Sequence, residues 1–228
     1  MGQAFLERAI AIDPDYPRAN CLMAWIHAAR VHLGWVDARE VLPKARAMAQ
    51  RAIQRDPEDP WTHHVAGYVH MVSRSFEQAV AELSEAIALN PSFAFAHAIL
   101  GSAYSHGGLA EDGLHHVGLA TRLSPRDFMQ AANFATAGLC HFVAGRYSDA
   151  VGCERRAVEL RPHFGTAWRT FAASAGKAGD RPTAVRVLAE AKRLQPSLSV
   201  DWVEKSHPLV HAKDRSLFIE GLRVAGLE

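Results

Sequence analysis

The chain has 228 residues, and its 25 basic and 24 acidic side chains leave a formal net charge of only +1. A chain so close to neutral has no general electrostatic attraction to nucleic acid or to an anionic membrane surface, so we expect neither as a partner. Hydrophobic residues make up 49% of the chain, but no stretch approaches the roughly 20 apolar residues of a membrane-spanning helix.

One phrase recurs along the chain: a small residue, an apolar helix end and then a proline, as in RAIAIDP, EAIALNP and RAVELRP. Because proline lacks an N–H and disfavours the α conformation of its predecessor, each proline predicts the end of a helix. Successive prolines are 43, 34, 34, 37 and 34 residues apart; they are Pro14, Pro57, Pro91, Pro125, Pro162 and Pro196.

Small residues recur inside each period. When a repeat is numbered from three residues after its proline, positions 8, 20 and 27 hold Ala or Gly in most repeats. Small side chains let two helices approach closely. The pattern resembles the tetratricopeptide-repeat (TPR) family, whose period is 34 residues, and covers roughly residues 1–198. The resemblance implies an all-α, right-handed superhelical solenoid of antiparallel helix pairs, a helix A followed by a helix B in each repeat.

In chain order, residues 1–16 fit only the second helix of a truncated repeat. The first full repeat is nine residues too long, and we interpret the excess as a lengthened loop between its helices, with Gly34 and Pro43 as breakers. Three further residues are inserted near 126–130, at a junction between repeats. Five repeats are predicted at about 17–59, 60–93, 94–130, 131–164 and 165–198, followed by a linker and a C-terminal capping helix within 199–228.

The truncated first repeat leaves an apolar side open, because a solenoid end needs a polar outer face. We expect either a fragment of a longer protein or a homodimer formed through this end. The tail FIEGLRVAGLE, after repeats with a GW-containing insertion, resembles the C-terminal TPR region of bacterial signalling proteins that carry a class III adenylate cyclase domain or a winged-helix regulator. That resemblance implies a role in a larger signalling protein.

The sequence contains no recognisable catalytic or metal-binding motif. Its 13 histidines include no H-E-x-x-H, and neither a P-loop nor a G-x-S-x-G is present. Three cysteines lie far apart without a C-x-x-C pair, which argues against a disulfide framework or a structural zinc site. With an N-terminus that lacks a signal-peptide core, they favour a cytoplasmic protein. We expect no cofactor, no metal and no catalytic residue, with an unrecognised hydrolase or metal-binding protein as an alternative.

The resemblance also implies a binding surface. In the family, positions 2, 5, 9, 12 and 13 of helix A commonly line a concave groove that binds a protein or peptide. We therefore expect a groove that is aromatic and apolar in the middle, with cations at its two ends. These rings could instead pack on the C-terminal helix, and the chain could serve as a dimerising segment. The residues carried over are Trp25, Trp61, His64, Tyr68, Phe95, His106, Phe142, Arg169 and Lys177.

Overall fold

The computed structural model describes residues 2–126 and 128–228. Within these ranges the chain forms thirteen α-helices and no β-strand, which confirms the predicted all-α fold. The helices are α1 (Gly2–Ile12), α2 (Pro17–His32), α3 (Ala38–Arg55), α4 (Pro60–Val72), α5 (Phe76–Leu89), α6 (Ala94–His106), α7 (Ala110–Leu123), α8 (Gln130–Val143), α9 (Tyr147–Leu160), α10 (Gly165–Lys177), α11 (Arg181–Leu194), α12 (Val200–Ser206) and α13 (Ala212–Val224).

Helices α2 to α11 form five A/B pairs, and each pair stacks on the next as the solenoid requires. Small residues allow the two helices of a pair to approach. A Cβ on Gly67 would overlap the side chain of Leu83, and one on Gly101 would crowd the Gly113 carbonyl at 2.9 Å. The stacked pairs bury two large, alanine-rich clusters, one formed by the first three repeats and the other by the last two repeats with the C-terminal helices, and no single repeat could form either alone.

Most A helices are tied to the turn before them by one side chain, at position 4 of the repeat. That side chain contacts the carbonyl oxygen of the proline six residues earlier, at 2.8–3.3 Å. Phe134 holds this position in the fourth repeat and has no donor, and there Gln130 donates to the Ser124 carbonyl instead. This contact gives two of the thirteen histidines, His63 and His97, a structural role that requires no metal. The four pairs are Asn20–Pro14, His63–Pro57, His97–Pro91 and Trp168–Pro162.

The long first repeat corrects one prediction. Most of its extra residues lengthen the two helices: α2 has 16 residues and α3 has 18, against 13 and 14 in the second repeat, while the loop between them grows only from three residues to five. Gly34 follows the end of α2 with φ +74°, as a breaker should, but Pro43 lies inside α3. A proline near the first turns removes only one hydrogen bond, and Asp37 caps the helix by accepting from the Arg39 N–H at 2.8 Å.

The C-terminal helix α13 packs on α10 at backbone contact distance. A Cβ on Gly176 would overlap the Gly221 carbonyl, so only glycine allows this approach. Phe218 and Leu222 of α13 are fully buried against the last repeats. The 126–130 insertion falls in the connection between α7 and α8, of which Asp127 lies outside the described residues. None of the helices formed by the described residues is long and apolar enough to cross a bilayer.

Candidate functional site

The two ends of the solenoid meet at Arg169, in the first half of α10. Its side chain is fully buried, and its Nη2 donates to the His32 carbonyl oxygen at 2.9 Å. Its Nη1 donates to Gln195 Oε1 at 2.6 Å, and its guanidinium lies 4.7 Å from the centre of the Trp202 ring. Because the last carbonyls of a helix carry partial negative charge and lack partners within the helix, Arg169 caps α2 from four repeats away.

Burial shifts the pKa values of the charged residues around Arg169. Desolvation lowers the pKa of Arg169 to about 9, which still leaves the guanidinium charged at neutral pH. Glu154 of α9 is also fully buried, and neither of its carboxyl oxygens has a hydrogen-bond partner. Burial raises the pKa of Glu154 well above its ordinary value, and the charge of Arg169 offsets this only in part. Burial therefore favours the neutral carboxylic acid over the carboxylate at Glu154.

A C-terminal strap, defined as residues 199–211, covers the C-terminal ends of α4 and α6. Arg74 holds its main chain, since Nε donates to the His207 carbonyl and Nη2 to the Glu204 carbonyl, each at 2.8 Å. The Val210 N–H donates to the carbonyl oxygen of His106 at 3.0 Å. The strap thus packs against the ends of two A helices, and none of its residues lines the cavity between those helices.

The backbone of Arg74 is strained, because its φ is +59° and it carries a Cβ. The corresponding turns of the next three repeats place Gly108, Gly145 and Gly179 at positive φ. A left-handed conformation costs roughly 1 kcal/mol in a non-glycine residue. The contacts of Arg74 with the strap carbonyls give a physical reason for arginine where the other repeats use glycine.

Three buried imidazoles connect the strap to the repeats. The ring of His106 lies 5.7 Å from that of His32 and 5.9 Å from that of His207, between ring centres. Burial lowers the pKa of His106 to about 4 and those of His32 and His207 well below the ordinary value, with Arg169 adding repulsion. All three are neutral at pH 7. Tyr68 Oη lies 3.0 Å from His32 Nδ1, which fixes that ring.

Beside these imidazoles, the A helices of all five repeats enclose a cavity of about 320 Å³. Its wall is largely apolar, and His32 and His106 belong to it. Three large aromatic side chains line it and also face solvent: Trp25 is 40% exposed, Trp35 62% and Phe128 69%. We call these three residues the aromatic rim. Other wall residues include Tyr68, Ile99, Ala132, Asn133, Thr136, Leu139, Arg161 and Thr170.

Of the predicted groove residues, Trp25, Tyr68 and His106 line this cavity. Three others, which are Trp61, His64 and Phe95, form a neighbouring ring cluster with Phe93, in which centres lie 5.0–6.3 Å apart. Phe95 also lies 5.6 Å from Phe128, so the cluster adjoins the aromatic rim.

The structure corrects the expectation for four groove residues, because their side chains are committed to contacts within the chain. His64 is fully buried in the ring cluster. Phe142 is buried between Tyr147 and Phe218. Arg169 holds the end of α2 rather than a peptide, and Lys177 pairs with Glu220 at 2.7 Å. Helix α13 contacts Phe142 and Lys177, the closure onto α2 uses Arg169, and the ring cluster surrounds His64.

Sequence reasoning missed His32, Trp35 and Phe128. His32 and Trp35 lie in the long first repeat, where the family numbering does not apply, and Phe128 lies in the insertion before α8. The signal for the two rim residues was a large aromatic side chain beside an insertion.

Comparison with known proteins agrees with this architecture. The curated tetratricopeptide repeat-containing protein trd-1 of Caenorhabditis elegans is 27% identical over 150 residues, which are 66% of this chain and 18% of that protein. The chain therefore spans less than a fifth of the length of this relative. No family model matches the chain.

Two solved structures have a similar fold. PilW, described as a widely conserved type IV pilus biogenesis factor, has a TM-score of 0.62 at 15% identity, over 90% of this chain and 88% of PilW. TTC0263, a TPR protein of Thermus thermophilus, has a TM-score of 0.62 at 18% identity, over 82% of this chain and 93% of TTC0263. With the repeat pattern and the curated relative, these likenesses show that the chain has the fold and the repeat motif of the tetratricopeptide-repeat family.

Proposed function

We propose that this chain is a non-catalytic scaffold that binds a partner protein by taking one of the partner's apolar side chains into the cavity. The observation that carries the proposal is the cavity of about 320 Å³, enclosed by five A helices and bordered by the exposed aromatic rim. Ligand sites are concave, mostly apolar and about 300–1,000 Å³ in volume. Binding energy at protein interfaces concentrates where a buried anchor fills such a pocket beside Trp, Tyr or Arg.

The strap restricts the ways in which a partner protein can bind. An extended peptide that ran past the C-terminal ends of α4 and α6 would have to displace residues 199–211, whose main chain is held by Arg74 and by the His106 carbonyl. A partner that inserts one side chain and rests on the rim needs no such displacement. Phe95 is half-buried beside Phe128, and Trp61 is half-buried beside Phe95, so both extend the surface on which the partner would rest.

The chemistry of the buried groups supports a scaffold rather than an enzyme. Burial raises the thiol pKa values of Cys21 and Cys140 to about 12, so neither is a ready nucleophile. Among the described residues, no group of three or more His, Cys, Asp or Glu side chains could hold a metal ion.

Peptide display with a matched pair of variants tests the proposal. Ala132 is half-buried in the cavity wall, and Ala132→Trp should fill the space without disturbing the core. Ala47→Trp changes an exposed alanine on α3, on the outside of the solenoid. Peptides selected on the unmodified chain should bind Ala47→Trp equally well and Ala132→Trp at least about tenfold more weakly. Equal binding to both variants would contradict the proposal.

A homodimer through the N-terminal end is the second candidate function. Helix α1 has no buried residue, Phe5 is 63% exposed and Ile12 is 84% exposed. If this face joins two copies, sedimentation should show a dimer that Phe5→Glu converts to a monomer. A monomer at high concentration would rule the candidate out. A cytoplasmic location and membership of a larger bacterial signalling protein stay predictions from the sequence.

A further inference from the structure

The wall of the cavity is apolar, but its permanent charge is positive. Among the described residues that line the cavity, Arg161 is the one with a permanent charge, and none of them is an Asp or a Glu. None of the ion pairs formed by described residues includes Arg161. The charge of this arginine is therefore not offset by a carboxylate within the part of the chain that the structure describes.

The guanidinium of Arg161 lies between two other residues of the cavity wall. Its Nη2 donates to the main-chain carbonyl oxygen of Phe128, and its central carbon lies 5.4 Å from the centre of the Phe164 ring. Phe128 belongs to the aromatic rim, and Arg161 itself is half-buried, so the guanidinium lies where the cavity opens to solvent. A guanidinium has five N–H donors in a planar fork that matches the two oxygens of a carboxylate, and the bond to Phe128 uses one of them.

A second cation lies behind the wall. Arg169 is fully buried, and its bond to the His32 carbonyl places its charge beside a wall residue. Burial raises the pKa of Tyr68 and lowers the pKa values of His32 and His106, and the positive charge of Arg169 acts on all three groups as well. Charges interact more strongly across an apolar interior than across water. The potential inside the cavity is therefore positive, which favours an anionic group at its mouth and disfavours a cationic one.

We infer that the apolar anchor of the partner is flanked by an aspartate or a glutamate, whose carboxylate pairs with Arg161 while the anchor fills the cavity. This inference rests on the proposed function, since it names the chemistry of the partner at the same site. Arg161 belongs to the cavity wall itself, and an extended chain advances about 3.3–3.6 Å per residue, so the acidic residue lies within about two residues of the anchor. A Lys or Arg at that place in the partner would be repelled.

Three small probes with the same apolar group test this charge preference directly. 4-Phenylbutanoate, 4-phenylbutanamide and 4-phenylbutylammonium carry a negative, a neutral and a positive group on one phenylalkyl chain. Each is titrated into the unmodified chain at pH 7 and low ionic strength, and the methyl ¹H–¹³C signals of Ile99 and Leu139 report binding in the cavity. The carboxylate should bind at least about threefold more tightly than the amide, a modest factor because solvent screens a partly exposed pair. The ammonium should bind most weakly.

Variants then assign the preference to one residue. Arg161→Gln removes the charge, and its ratio of carboxylate to amide affinity should fall below about twofold, whereas Arg161→Lys keeps the charge and should keep the preference. Arg155→Gln removes the same charge from an exposed position on α9 outside the cavity wall and should behave like the unmodified chain. An unchanged ratio in Arg161→Gln would overturn the inference. Equal binding of the carboxylate and the amide to the unmodified chain would also overturn it, even if Arg161→Gln failed to fold.

Peptide display separates this inference from the function it rests on. Peptides selected on the unmodified chain should be enriched in Asp or Glu within about two residues of their apolar anchor, and those selected on Arg161→Gln should not. If the selected peptides depend on Ala132 but show no such enrichment, the acidic assignment is wrong and the scaffold function stands. If the carboxylate probe is preferred but no peptide depends on Ala132, the cavity takes a small organic acid, and the protein-binding role fails together with the inference.

Discussion

Arg169 and His32 are 137 positions apart in the chain, and yet Arg169 Nη2 donates to the His32 carbonyl oxygen at 2.9 Å. This bond brings the fifth repeat against the end of the first. The same guanidinium also bonds to Gln195 and stacks on Trp202, so one side chain ties together α2, α10, α11 and the strap. The enclosed shape of the cavity depends on this closure.

Replacement of Arg169 should therefore destabilise the whole chain. Arg169→Met leaves the last carbonyls of α2 and the Gln195 side chain without their donor inside the protein. We expect a loss of about 3 kcal/mol in the free energy of unfolding, measured with urea at pH 7. Arg193→Met removes an exposed arginine that pairs with Glu190 and should cost less than about 0.5 kcal/mol. A loss below about 1 kcal/mol for Arg169→Met would contradict the closing role.

Replacement of Glu154 should have the opposite effect. Its position in the other full repeats holds Ala49, Leu83, Val117 or Leu188, which are buried apolar residues. Glu154→Leu removes a buried carboxyl without partners and should stabilise the chain by about 1–3 kcal/mol at pH 7.

The pH dependence of this gain follows from the raised pKa of Glu154 in the folded state. The folded chain keeps a proton that the unfolded chain loses above about pH 4.3, so stability falls as pH rises through this window. Unfolding at pH 5 and pH 8 should show a larger gain for Glu154→Leu at pH 8. A gain that shrinks as pH rises would mean that the carboxylate is charged and paired.

Acid should lower the stability of the chain, because His106 is buried in the neutral form between the strap and the repeats. The folded pKa of His106 is about 4, below the ordinary value of about 6.5, so the unfolded chain binds this proton first as pH falls. The stability associated with the neutral ring is complete above pH 6.5 and is lost between there and pH 4. By pH 5 the loss is roughly 2 kcal/mol for this residue.

A variant distinguishes the contribution of His106 from the general effect of acid on the free energy of unfolding. His106→Gln should reduce the fall in unfolding free energy between pH 7 and pH 5, while His163→Gln, at an exposed position, should leave the fall unchanged. An identical pH dependence in both variants would show that His106 is not held neutral in the folded state.

Arg74 should control how firmly the strap is held. Arg74→Gly relieves the positive φ but removes the bonds to the strap carbonyls, whereas Arg74→Ala removes the bonds and keeps the strain. Arg74→Ala should therefore be the less stable by about 1 kcal/mol. In both variants the Val210 amide, bonded to the His106 carbonyl, should exchange with solvent at least about tenfold faster. Unchanged exchange of this amide would show that the strap is held by other contacts.

The sequence predicted the helix pairs because their determinants are local. Proline ends each helix B, and glycine or alanine at positions such as Gly67 and Gly101 permits the close approach of A and B. The long first repeat was misjudged because Pro43 lies close enough to the start of α3 for the helix to tolerate it.

The candidate site was less predictable because it depends on contacts between distant parts of the chain. The family pattern placed Arg169 and Phe142 in the groove, but it contains no information about closure onto His32 or about the packing of Phe218. Trp25 and Tyr68 follow the pattern and do line the cavity. Trp35 and Phe128 lie in insertions, whose conformation the repeat period does not determine.

The most direct test of the central claim is to detect, by NMR, contacts between a bound peptide and the cavity wall. A display-selected peptide with a ¹³C-labelled anchor residue is mixed with the chain, and nuclear Overhauser effects are recorded to the methyl groups of Ile99 and Leu139. We expect cross-peaks from one bulky apolar side chain of the peptide to both methyl groups, and their loss in Ala132→Trp. Tight binding without any cross-peak to these methyl groups would show that the partner binds elsewhere and would contradict the account.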